Sequence, residues 1–364
     1  MKTDAILIKN FTLQQLEDWV ESVGERRFRA RQLYRHLYVR RIRSWDECSD
    51  LSKSFQAQLE FGTVLDALSL EEKRTSSDGT VKYLFGLSDG RRIESVLIPD
   101  PPRYTLCLSS QVGCALSCRF CLTGTVGFQR NLSAAEIVDQ VCRVQQEAGN
   151  RFRISNLVFM GMGEPLANYE AVSNAVHILC DPNGMAFSHR RITVSTAGLV
   201  PQMERLGRDS PVNLAVSLHA PEDGLRSELM PVNRTYSLGD LLNACRRYPL
   251  APRKRITFEY LLLDGVNDQP RHAKALVKLL HGVKAKVNLI PFNSYPGSEF
   301  RRPSEERILA FQEILTGAQL TALVRQSRGF EIGAACGQLA ALGKDDPSSR
   351  GETEAGHGFF SLPG

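Results

Sequence analysis

Cys114, Cys118 and Cys121 place three thiols within eight residues, in a CxxxCxxC pattern that runs Gly113-Cys114-Ala115-Leu116-Ser117-Cys118-Arg119-Phe120-Cys121. Thiolates this close can wrap one soft metal centre. A structural zinc site takes four ligands, and Cys107 is available as a fourth thiolate, so an all-cysteine zinc site is one reading. Four-cysteine ligation also describes an electron-transfer iron–sulfur cluster. Three thiolates alone would leave one iron of a cubane without a protein ligand, open to a chelating substrate. The amino and carboxylate groups of S-adenosylmethionine (SAM) can chelate it, and an electron from such a cluster cleaves a carbon–sulfur bond to give a 5′-deoxyadenosyl radical. Three cysteines crowded onto one loop are a poor pattern for mere core filling.

The rest of the chain must position those thiols. Its 364 residues, 42% hydrophobic and 23% charged, suit one large domain with a small companion and exclude a collagen-like, coiled-coil or wholly disordered protein. No apolar run approaches the roughly 20 residues needed to cross a bilayer, and Ala5-Ile6-Leu7-Ile8 is too short for a signal-peptide core, which points to the cytoplasm. Nine cysteines, an odd number without a secretory signal, argue for metal binding or catalysis over a structural disulfide framework. A net charge of +5 is mild, so a polyanionic partner must show as a local patch.

The first 62 residues read as a helical accessory domain. Thr12 and Gln15 make a capping box, Leu13, Leu16, Trp19 and Val20 follow at helical spacing, and a second helix covers 28–39. Eight arginines and His36 lie between Arg26 and Arg43 with no acid among them, interleaved with Phe28, Tyr34 and Tyr38. Unrelieved charge of this kind points to nucleic acid; the alternative is a solvated face whose aromatics belong to the core. Residues 63–99 read as a linker carrying a β-hairpin, with strands 80–87 and 91–98 around Ser88-Asp89-Gly90.

From residue 100 to 336 the rhythm changes. Apolar runs at 104–109, 155–160, 190–196, 212–218, 255–263 and 285–290 alternate with helical stretches near 134–147, 168–179, 198–207, 238–247, 270–281 and 304–316. Six such units without a dinucleotide-binding glycine fingerprint predict an α/β fold, a partial (β/α)6 barrel, with chemistry at the strand C-termini. Residues 337–364 read as a largely disordered tail.

CxxxCxxC after the first barrel strand, with an aromatic before the third cysteine, resembles the radical SAM superfamily. Gln111-Val112-Gly113-Cys114, Gly161-Met162-Gly163-Glu164-Pro165, Ser217-Leu218-His219, Asn288 to Asn293 and Ala334-Ala335-Cys336-Gly337-Gln338-Leu339 narrow the resemblance to the RlmN/Cfr family of RNA methyltransferases. It runs from about residue 10 to 343. The resemblance implies a [4Fe-4S] cluster on Cys114, Cys118 and Cys121. It implies two SAM per turnover, contacted by Gly163, Glu164, Ser195, Ser217, Leu218, His219 and Asn293. One SAM methylates Cys336, and a radical from the second removes hydrogen from that methyl, whose carbon then adds to adenine. Glu94 takes the ring proton, and Cys107 forms a disulfide with Cys336 as product leaves. By its period-2 pattern, Cys107 shares a face with Thr105 and Ser109.

The implied substrates are 23S rRNA and tRNA, methylated at C2 of an adenosine that in tRNA lies beside the anticodon; the alternative is the C8 specificity of the Cfr branch. A monomer served by a flavodoxin or ferredoxin is the expected assembly. Gly333 stands where the family commonly has an acid. The clusters 189–191, 253–255 and 301–302 could continue a basic track for RNA.

Overall fold

The computed structural model describes residues 5–341; the expected tail beyond 341 lies outside the described residues. Three helices open the chain: α1 (Leu13–Ser22), α2 (Phe28–Arg35) and α3 (Lys53–Gly62). Thr12 accepts from the Gln15 backbone and receives the reciprocal bond that completes its capping box. Helix α2 runs on into a π-helical turn, His36–Arg40.

Charge in this module is more balanced than its sequence suggests. Arg27 pairs with Glu17, Asp18 and Glu21, and Arg31 with Glu17, so the acids of α1 offset two of the eight arginines. Tyr34 and Tyr38 are fully buried. They are core residues and cannot stack on a base. Arg26, Arg35, Arg40 and Arg43 stay exposed, beside a half-exposed Phe28.

A ten-stranded sheet follows. Strands β1 (Leu68–Thr75), β2 (Val81–Leu87), β3 (Arg92–Asp100) and β4 (Arg103–Cys107) are antiparallel. The hairpin expected over 80–98 is thus part of a meander that adds directly to the barrel sheet, with β1 as an extra edge. Parallel pairing then carries β4 through β5 (Asn156–Phe159), β6 (Ile192–Thr196), β7 (Asn213–Ser217), β8 (Ile256–Leu262), β9 (Ala285–Pro291) and β10 (Ala322–Val324). The longer helices between them are α4 (Ala134–Ala148), α5 (Tyr169–Cys180), α6 (Val200–Asp209), α7 (Leu238–Arg247), α8 (Pro270–Leu279) and α9 (Glu305–Gly317). Six β/α units are therefore present, plus the short β10.

Alternation decides what faces the lumen. On β8 the outward set Ile256, Phe258, Tyr260 and Leu262 joins the main core against the helices, leaving Thr257, Glu259 and Leu261 inside. On β4, Leu106 and Cys107 point to opposite faces, Cys107 on the face of its partner Val96 and of Glu94. The N-terminal module docks outside this barrel on α4 and α5. Lys9, 2% exposed, pairs with Asp139 on α4 and, at 3.0 Å, with Asp66; Asn10 accepts from Ala135 N and receives Asn174.

The sheet order runs β1 to β10 without β10 returning to β1. The segment after β10 crosses to the other edge. Gly329 N donates to Asp78 in the β1–β2 turn, Glu331 accepts from Ser76 and Ser77, and Lys82 donates to Gly333 O at 3.2 Å. That crossing segment carries Cys336. Two of the basic clusters precede strands β6 and β8 and so lie at the strand N-termini, the end opposite the chemistry. Arg191 there bonds Asn156, Lys254 bonds Asn213, and Arg255 bonds Thr321. They do not extend a basic track to the barrel mouth.

Candidate active site

The thiol trio occupies the loop after β4. Gly113 enters it at φ +72°, and a Cβ there would lie 1.7 Å from Gly127 O, so only glycine lets the two loop arms meet. Cys121 N donates to Cys118 O at 3.1 Å, which curls the loop that carries the thiols. Burial pushes the Cys118 thiol well up, and the charges of Cys121, Cys114 and Glu164 add to this, opposed by Arg226. Burial likewise raises Cys114 to about 11. Among the described residues no His, Cys, Asp or Glu trio is drawn in around a single metal ion.

These surroundings suit a multinuclear, cationic iron–sulfur centre. Buried thiols such as Cys114 and Cys118 ionise once a positive centre stands among them. The fourth thiol that a zinc site would require is elsewhere. Cys107 is buried on β4, where burial first and the Cys336 charge second hold its pKa up.

Around the trio, the expected SAM contacts gather at the strand ends. Gly163 has φ +96°, and a Cβ there would stand 2.5 Å from Gln111 Cβ. Glu164 is 4% exposed. Its oxygens accept from Leu166 N at 3.0 Å and Ala197 N at 2.8 Å, while its own N–H goes to Gln111 Oε1. Burial outweighs those bonds and raises its pKa to about 7. Ser195 and Ser217 lie on β6 and β7 in register with Ala215 and Glu259, on the lumen face.

His219 takes φ +59°, accepts from Leu261 N at Nδ1 and sets its ring edge-on to Phe120. Burial and the Arg226 charge lower its pKa to about 3, so it is neutral. Leu218 is the exception. Its side chain is buried in the main core, and its carbonyl accepts from Arg226 Nε. Asn293 instead reaches the crossing segment, donating to Cys336 O at 3.5 Å and accepting from Ser327.

Cys336 is exposed to the lumen, and surrounding protein still raises its thiol to about 11, with Glu259 the strongest nearby charge. Leu122 N, next to Cys121, donates to Gly337 O at 2.8 Å, and Thr123 donates to Leu339 O. The cluster loop and the Cys336 loop thus hold each other. Glu94 is 2% exposed on β3, on the same face as Cys107. It pairs with Lys82 and accepts from Ala340 N and Ala341 N.

All nine cysteines are free thiols, so the expected Cys107–Cys336 disulfide is not present. Cys48, Cys142 and Cys245 are buried, with burial pushing each to about 12, as suits inert core residues.

Comparison with known proteins decides the family. Residues 6–64 match the ribosomal RNA large subunit methyltransferase N-terminal domain and residues 108–276 the radical SAM superfamily. A Syntrophobacter fumaroxidans protein named dual-specificity RNA methyltransferase RlmN is 69% identical, over 93% of this chain and 99% of its own. This chain belongs to the RlmN family of radical SAM RNA methyltransferases. An RlmN from Geobacter sulfurreducens is 53% identical over 91% of both chains. The crystal structure of a radical SAM methyltransferase from Sphaerobacter thermophilus is 47% identical, superposes with a TM-score of 0.89 and covers 93% of this chain and all of its own. The radical SAM fold, a [4Fe-4S] cluster and the use of SAM come with membership of the RlmN family. No helix among the described residues is long and apolar enough to cross a membrane.

Three residues of this site carried no motif in the sequence. Arg226, 1% exposed, donates to Ala197 O, Ser217 O, Leu218 O and Asn233 Oδ1, bracing the ends of β6 and β7. Burial lowers its pKa only to about 10, so it stays the buried cation beside Cys118. Lys82 and Glu259 are the other two. Glu259 had one available signal, a lone acid inside an otherwise apolar strand.

Proposed function

We propose that this chain methylates C2 of an adenosine in 23S rRNA and of the adenosine beside the anticodon in tRNA. The observation that carries the reading is that Glu94 shares a face with Cys107 and holds the segment that bears Cys336 through Ala340 N and Ala341 N. C2 of adenine is not nucleophilic, so polar methyl transfer to it fails and a carbon tethered to sulfur must attack instead. The relatives carry the RlmN name and thus favour the C2 branch over C8.

Cys114, Cys118 and Cys121 would hold the cluster, which when bound supplies the electron that cleaves SAM to a 5′-deoxyadenosyl radical. Gly163, Glu164, Ser195, Ser217, His219 and Asn293 line the place for SAM. Cys336 carries the methyl group to the adenine. Glu94 receives the ring proton, and Cys107 attacks the Cys336 sulfur to release product as a transient disulfide, which an external reductant resets. The exposed arginines of the N-terminal module are its contribution to holding RNA, whose target base must leave its stack to enter the lumen. A cytoplasmic monomer supplied by a flavodoxin or ferredoxin completes the reading. Nucleoside mass spectrometry of RNA from cells with and without the gene tests it. Loss of 2-methyladenosine on deletion is expected; unchanged 2-methyladenosine with loss of 8-methyladenosine overturns the assignment.

A further inference from the structure

Between the N-terminal module and the barrel runs an open cleft of about 420 Å³ that shares no residue with the thiol site. It has room for a nucleotide, since small-ligand sites span roughly 300–1,000 Å³. Val39 and Arg41 line it from the module, Phe152 and Arg153 from the loop between α4 and β5, and Met185 from the loop between α5 and β6. The lining holds two guanidinium groups and no carboxylate, and neither guanidinium has an ion pair among the described residues.

Arg41 ends the π-helical turn at φ +54°, in the left-handed region where a helix usually places glycine. Any other residue there is strained. Gln146 on α4 donates to Arg41 O at 3.1 Å and holds that conformation. The fold thus keeps an arginine where glycine would sit more easily, and that arginine lines the cleft. The barrel side is equally fixed. Gln145 donates to Phe152 O at 2.8 Å and accepts from Ile154 N at 2.9 Å. Phe152 stacks on Tyr104 with ring centroids 4.4 Å apart. Arg153 donates one of its five N–H groups to Met185 O at 3.2 Å. Gly184, also in the lining, packs so close to Tyr34 that a Cβ would stand 2.7 Å from the ring, so module and barrel meet firmly here.

A guanidinium presents a planar fork of donors that matches a phosphate, and two of them held in place without a competing acid make an anion site. We propose that this cleft grips a backbone phosphate of the substrate RNA, which thereby bridges the module and the barrel. The proposal rests on RNA being the substrate and adds where its strand is held. A free nucleotide also carries phosphate. Arg40 and Arg43, exposed on either side of Arg41, favour the polymer, because its neighbouring phosphates engage cations that a free nucleotide leaves unused.

The test is fluorescence anisotropy of cluster-loaded protein with an RNA hairpin from the 23S rRNA target region. Glycine suits the backbone at this position, so Arg41→Gly should melt no lower than wild type. It should weaken RNA binding about tenfold and lower the slope of log Kd against log salt by about one, the mark of a lost phosphate contact. Arg153→Gln should do the same. Arg246→Gln removes an exposed arginine of α7, on another part of the barrel, and should change affinity by less than about twofold. Equal losses in all three variants, or an unchanged slope in Arg41→Gly, overturn the proposal. So does an R41G protein that keeps full RNA affinity but loses binding of adenosine monophosphate in calorimetry, since the cleft then serves a free nucleotide. Wild-type protein that binds no RNA would instead sink the reading of RNA as substrate.

Discussion

Lys82 Nζ lies 2.9 Å from Glu94 Oε1, with 12% and 3% of the two side chains exposed. The other oxygen, Oε2, accepts from Ala340 N at 2.9 Å and Ala341 N at 3.1 Å, while Lys82 also donates to Gly333 O. The carboxylate proposed to take the ring proton is therefore also the anchor of the segment bearing Cys336.

Lys82→Met should consequently act on both the fold and the loop. It leaves Glu94 buried without its cation, which costs about 3 kcal/mol, and loosens the segment at Gly333. Hydrogen exchange at Ala340 and Ala341 should quicken. Adding Glu94→Gln removes the stranded charge, so the double variant should be more stable than Lys82→Met alone. Equal or lower stability of the double variant would show that the pair is not coupled.

Cys336→Ala and Cys107→Ala should fail in different ways. Without Cys336 there is no sulfur to carry the methyl, and RNA methylation should vanish. Without Cys107 the adenine can be attacked but not released, so a covalent protein–RNA species should accumulate on denaturing gels. Free, correctly methylated RNA from Cys107→Ala would contradict its assigned role.

Docking of the N-terminal module depends on Lys9. Burial pulls its pKa down, but Asp139 and Asp66 outweigh that and hold it charged. Lys9→Met leaves Asp139, fully buried on α4, without its cation, at a cost of about 3–5 kcal/mol. Limited proteolysis should then cut within 6–64 at concentrations that spare the wild type. Asp139→Asn in the same chain should restore resistance, because an amide still accepts from Leu68 N. If it does not, packing of Tyr34 and Tyr38 is what holds the module in place.

The barrel was readable because buried parallel strands are continuous apolar runs, and Ile256–Leu262 shows this best. The start of α1 was readable because Thr12 sets a capping box. Strand β1 was not, since Leu68–Thr75 has one wet face and reads as charged, and β10 is only three residues long. The thiol trio announced itself by spacing. Lys82, Arg226 and Glu259 did not, because their meaning comes from partners on other strands. The patch read as more charged than it is for the same reason: Glu17 lies ten residues before Arg27, outside any window that scans the patch itself.

His219 supplies a test in which pH does the work. Its pKa of about 3 in the fold compares with about 6.5 in an unfolded chain. Above pH 6.5 both states are neutral there, and the bond from Leu261 N to Nδ1 contributes fully. As pH falls below 6.5 the unfolded chain binds a proton that the folded chain refuses until about pH 3, so stability is lost across that window. Between pH 7 and pH 5 the loss from this one residue is about 2 kcal/mol. His219→Asn removes the titration while tolerating a positive φ and placing an amide oxygen near the Nδ1 position. Glu164 and Glu259 titrate in both proteins and cancel in the comparison. Denaturant unfolding at the two pH values should therefore show wild type losing about 2 kcal/mol more than the variant. Equal losses would mean that the folded protein protonates His219 at pH 5, and that the Leu261 amide is not bonded to it there.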